Sequence, residues 1–83
     1  MPWRGHARME LMVNGHSASS FTGVPELPRA VTDDHGQSGS VRHIGTRVLK
    51  AVLERQQWSC RAAIVRLRSR GGGGQSVVVA QQQ

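Results

Sequence analysis

The sequence predicts a mainly α, partly disordered protein with a single basic amphipathic helical region over about 41–69. Three observations predict it: a long proline-free stretch, a breaker-rich segment before it and a low-complexity tail after it. Val41–Ser69 contains no proline and only Gly45 as a weak helix former, and Ser40 precedes it as an N-cap residue. The 39 residues before Ser40 hold eight glycines or prolines, which leaves little room for regular structure. Gly71–Gly74 and the closing Gln81–Gln83 have linker composition.

Residues 1–40 therefore read as an irregular, linker-like segment. Ala7–Val13 (ARMELMV) could form two helical turns before the turn dipeptide Asn14-Gly15. An isolated helix that short is marginal in water.

Within 41–70, the helical period brings Val41, Ile44, Val48, Ala51 and Val52 to one side, widened by Leu49 and Leu53. Arg47, Lys50 and Glu54 lie opposite. Past Gln56-Gln57 the pattern rotates: Arg55 and Arg66 fall on the projected apolar arc, while Trp58, Ala62 and Val65 make a new stripe. Two helical segments, about 41–56 and 58–69, follow from that rotation. Arg66, Arg68 and Arg70 oppose the negative end of the second, and Gly71 stops it. Residues 71–83 read as a flexible tail in which Val77–Ala80 is an aggregation risk.

Burying six aliphatic side chains of the first segment contributes on the order of 10 kcal/mol, at about 1.5–3 kcal/mol each. Ordering about 30 residues at roughly 1.5 kcal/mol each costs more. With nothing else patterned to cover that face, the balance predicts partial order until a partner arrives, or self-association through residues 41–56.

Charge divides where the structure is expected to divide. Residues 1–40 carry a net −1, and residues 41–83 carry seven arginines and Lys50 against Glu54 alone, a net +7. A chain of 83 residues excludes the large multi-layer enzyme folds of roughly 200 residues or more. Its single cysteine excludes an intramolecular disulfide and points to an intracellular, cytoplasmic or nuclear setting. The serine- and arginine-bearing N-terminus makes a mitochondrial presequence the minor alternative, which Pro2, Gly5 and Gly15 argue against. The longest apolar runs, Ala62–Val65 and Val77–Ala80, are four residues each and exclude a transmembrane helix.

Chemistry-bearing patterns are sparse. Gly15-His16-Ser17-Ala18-Ser19 matches the G-x-S-x-G nucleophile elbow except that Ser19 stands for the last glycine, and the chain lacks a scaffold for the other catalytic groups. No enzymatic activity is expected. His6, His16, His35, His43 and Cys60 lack the close pairs that zinc sites use, so neither a metal nor a cofactor is expected. Pro25-Glu26-Leu27-Pro28 has PxxP spacing and reads as linker.

The arginines carry the functional reading. Ten arginines stand against one lysine, and guanidinium groups contact phosphate bidentately and stack on bases. Arg66–Gly72 (RLRSRGG) combines alternating arginines with one RGG unit, a composition that tracks a phosphate backbone. The expected function is nucleic-acid binding, RNA favoured, through Arg61, Arg66, Arg68, Arg70, Arg47 and Lys50. The alternative is an amphipathic module that presents Ile44, Val48, Val52 and Leu53 to a protein groove or an anionic membrane surface. A further alternative is a short open reading frame whose product has no selected activity, which the arginine bias, homopolymer tracts and missing tyrosine suit.

Overall fold

The computed structural model describes residues 6–25, 30–57, 59–68 and 75–82. It corrects the expected fold class: the protein is an antiparallel β-sheet with one helix across one face, neither mainly α nor largely disordered. The strands are β1 (Ala7–Val13), β2 (His16–Pro25), β3 (Ala30–Asp33), β4 (Ser38–Ser40), β5 (Ala62–Arg68) and β6 (Gln75–Gln81), with α1 (Val41–Gln56) between β4 and β5. Their order in the sheet is β4-β3-β2-β1-β5-β6. Chain neighbours pair except where β5 crosses to the far side of β1.

Period-2 alternation builds β1. Ala7, Met9, Leu11 and Val13 are buried, while Arg8, Glu10 and Met12 between them point to the other face. Methionine and leucine are good helix formers, but burial on a sheet outweighs that weak preference. Asn14 (φ 52°) and Gly15 (φ 84°) then supply the two positive φ angles of a two-residue hairpin, which sets Val13 opposite His16. The segment read as two helical turns is thus the first arm of a hairpin. Register slips once in that hairpin, at Leu11/Met12, leaving Ala18 as the extra residue.

The β3–β4 turn is held by one carboxylate. Asp33 Oδ1 accepts from the His35 N–H at 2.9 Å and the Gln37 N–H at 2.8 Å. Gly36 (φ 79°) completes the turn by donating to the Asp33 carbonyl at 3.0 Å. Immediately after β4, Ser40 Oγ accepts from the His43 N–H at 3.0 Å and caps α1. The helix ends at Gln57, whose left-handed backbone (φ 55°) lets its N–H bond the Leu53 carbonyl.

Beyond that cap the second expected helical segment is instead β5. Ala63 and Val65 are buried, and Arg66 and Arg68 share the opposite face because they stand two residues apart on a strand. The expected C-terminal tail contains the edge strand β6, paired with β5 from Leu67↔Gln75 to Ala62↔Gln81. Asn14 ties these parts together. Its Oδ1 accepts from the Arg61 and Ala62 N–H groups at 2.7 and 3.2 Å, and its Nδ2 donates to the Ser59 carbonyl at 2.9 Å.

The core lies between α1 and the sheet: Met9, Leu11, Val13, Val31, Val41, Ile44, Leu49, Val52, Ala63, Val65 and Val79. Gly45 lets the helix approach closely, since a Cβ there would stand 2.6 Å from Val65 Cγ2 and 2.9 Å from Val79 Cγ2. The helix's apolar face is therefore covered by its own chain.

Candidate nucleic-acid interface

The N-cap at Ser40 and the contact at Gly45 fix the rotation of α1. With Val41, Ile44, Gly45, Leu49 and Val52 turned to the sheet, the helical period turns Arg42, Thr46, Arg47 and Lys50 outward, with Arg55 exposed at the last turn. None of these four cations lies within ion-pair distance of a carboxylate among the described residues. Glu54 is the only acidic residue on the helix. Thr46 Oγ1 donates to the Arg42 carbonyl at 2.7 Å, so its hydroxyl is occupied within the helix. Asp33 lies near enough to feel Arg47. Its carboxyl is held below the usual range, first by the Gln37 N–H and then by the His35 N–H and the charges of His35 and Arg47, against the opposing effect of desolvation.

A second cationic surface lies on the open side of the sheet. Arg8 pairs across from Arg68, and Glu10 across from Arg66. Arg68 Nη2 stands 3.6 Å from Glu10 Oε1, and Glu10 Oε2 accepts from Ser17 Oγ at 3.1 Å. Glu10 is 17% exposed, so this carboxylate is well shielded and partly neutralises the arginines around it. Beside them Met12, Gly15, Ala62, Ile64 and Arg66 line a shallow hollow of about 210 Å³.

The fold divides the expected nucleic-acid residues rather than gathering them. Arg47 and Lys50 are exposed on the helix side. Arg66, half-buried, and Arg68, exposed, are on the open side. Arg61 is exposed at the bend before β5, and Arg70 lies outside the described residues, as do Trp58, the rest of the RGG unit and most of the PxxP segment. Arg42, Arg55 and Arg8 complete the two surfaces. The helical period could have added Arg42, and the alternation in β1 could have added Arg8.

The expected partner face is corrected. Ile44 and Val52 are buried in the core, and Val48 and Leu53 pack half-buried against it. An amphipathic helix offered to a groove or a membrane would have to strip this face from the sheet.

No group of three or more histidine, cysteine or acidic side chains is placed to hold a metal among the described residues. His6 Nε2 and Asp34 Oδ1 are 3.2 Å apart on the surface, and Cys60 is a free, half-buried thiol against the core. Among the described residues no helix is long and apolar enough to cross a membrane. No protein-family model, curated protein or solved structure matches the chain.

Proposed function

We propose that the protein binds nucleic acid, RNA favoured, by laying the outward face of α1 along a phosphate backbone. The observation that carries this reading is the set Arg42, Arg47, Lys50 and Arg55 on one capped helix, with Arg47 and Lys50 facing outward and Arg42 and Arg55 on opposite flanks, all exposed and without carboxylate partners among the described residues. At about 1.5 Å per residue Arg42 and Arg55 stand roughly 20 Å apart along the helix axis. One duplex strand presents about six phosphates over that length, at about 3.4 Å each. The cations are held by a folded scaffold, so contact does not require ordering the helix. The open sheet face takes a lesser part, because Glu10 already engages Arg68.

Four phosphate contacts give a log–log salt slope near −3.6 on duplex and near −2.8 on a single strand. Affinity then falls about 150-fold or about 50-fold, respectively, between 50 and 200 mM salt. Fluorescence anisotropy with duplex and single-stranded RNA tests this. Arg47→Ala with Lys50→Ala should flatten the slope by about 2 on duplex, and Arg66→Ala with Arg68→Ala by less. Binding that ignores salt, or none at 50 mM salt, would overturn the proposal.

A further inference from the structure

Strand β6 closes one end of the sheet, and among the described residues its outer edge has no strand beside it. Such an edge presents unpaired N–H and C=O groups that template another strand. Edge strands are commonly blunted by brevity, by charge or by proline. The opposite edge, β4, is three residues long and runs directly into α1. Strand β6 is seven residues long, Gln75-Ser-Val-Val-Val-Ala-Gln81, with neither charge nor proline. Val78 at its centre is 53% exposed, the large hydrophobic side chain left most open to water among the described residues.

Read backwards, β6 is almost the same strand. Antiparallel pairing with itself about Val78 sets Val78 against Val78, Val77 against Val79, Ser76 against Ala80 and Gln75 against Gln81. Such self-complementarity is what a two-fold, isologous contact requires. Charge selects the same surface. Two copies of a +6 chain repel, and meeting through the outer face of α1 would set Arg42, Arg47 and Lys50 against their like. Meeting through the open sheet face would do the same with Arg8, Arg66 and Arg68. Like charges opposed across a pair are destabilising, and β6 has none to oppose.

From these observations we infer that a second copy of this chain pairs with β6 along its outer edge, joining two six-stranded sheets into one about a two-fold axis at Val78. Both helices then lie on the same side of the joined sheet, because Val77 and Val79, which turn toward α1, oppose each other. The register slip against β5 leaves Val79 as the extra residue, so the strand is regular over Gln75–Val78 and the bulge lies one residue beyond the axis. An edge contact of this size buries less than the roughly 1,600 Å² of a standard interface, as weak, reversible associations do. The inference is independent of nucleic-acid binding.

Sedimentation equilibrium from about 1 to 500 μM, a range that spans micromolar dissociation constants, should show the mass rising from 9.0 kDa toward twice that value. Val78→Lys and Val78→Glu each place like charge against like at the axis and should each remain monomeric. Mixed in equal amounts they should form a dimer, since an ammonium of one copy then faces a carboxylate of the other. Far-UV circular dichroism should match the parent for both variants, and recovery of the mixed dimer itself excludes misfolding. A monomer throughout that range, a dimer that persists in Val78→Lys, or open-ended polymers would each overturn the inference.

Discussion

The two faces of the sheet come from the same strands and differ by one residue of register. On the helix side Met9, Leu11, Val13 and Val65 are at most 1% exposed, and no charged side chain is buried among the described residues. On the open side their immediate neighbours are Arg8, Glu10, Met12, Ile64, Arg66 and Arg68. A strand turns alternate residues to opposite faces, so six or seven residues can serve two unrelated purposes. The covered set stabilises the fold. The open set is released from packing and free to carry charge.

Adjacent residues of β1 give the sharpest test of that division. Leu11→Ala removes buried methyl groups at a site that α1 and β5 hold from both sides, and should cost about 2–5 kcal/mol. Glu10→Ala, one residue away, loses a long ion pair and one hydroxyl hydrogen bond near the surface and should cost about 1 kcal/mol or less. Urea unfolding of both variants measures the difference. Equal costs would mean that the open face is as structural as the covered one.

The same alternation explains how much of the fold was legible. Ser40, the proline-free run and the 3.6-residue period marked α1, because capping and amphipathicity act within one segment. The strands depend on partners distant in sequence. Met9 and Leu11 are strong helix formers, and their period of two extends over only seven residues, which helical propensity also fits. Asn14-Gly15 between Leu11-Met12-Val13 and the following strand is the clearest strand signal in the sequence, since two positive φ angles there favour a hairpin. In β5, Arg66 and Arg68 resemble the basic end of a helix, but their spacing of two is a strand's spacing. The cover for α1 is not legible in the sequence because it is assembled from single residues of several strands, among them Leu11, Val31, Val65 and Val79. Of the candidate interface, the cations were legible as a set, but their division between two faces follows from β5 being a strand.

Gly45 tests how closely the helix must lie on the covered face. Replacing an exposed helical glycine by alanine usually stabilises by about 1 kcal/mol. Here the new Cβ would meet Val65 and Val79 at 2.6 and 2.9 Å. Both are β-branched side chains that cannot swing aside cheaply. Gly45→Ala should therefore destabilise by about 1–3 kcal/mol despite its better helix propensity. Val65→Ala alone should also destabilise by opening a cavity. Combined, the two should cost clearly less than their sum, because the methyl added at Gly45 moves into space left at Val65. Thermal unfolding of the two single variants and the double variant measures that coupling, and additivity would show that the helix can lift without loss.

The smallest effect separates the two faces at Asp33 and Asp34. Asp34 serves the open side, accepting from Thr22 Oγ1 at 2.5 Å and lying 3.2 Å from His6. Asp33 continues the alternation of Val31 toward α1, where it holds the β3–β4 turn and feels Arg47. Its carboxyl is depressed below the ordinary value of 3.8, chiefly by the Gln37 N–H. A carboxyl depressed in the folded state favours folding when ionised. That stabilisation is fully present only well above pH 3.8 and is lost as pH falls through the lower folded value. Asp33→Asn keeps an oxygen that can accept from both N–H groups but cannot ionise. The variant should be less stable than the parent at pH 7, by an exposed-site amount that salt reduces. The difference should close as pH falls through the lowered value of the folded state. Urea midpoints measured from about pH 7 to about 2.5 read this directly, and a gap that stays constant would show that Asp33 holds the turn by shape alone.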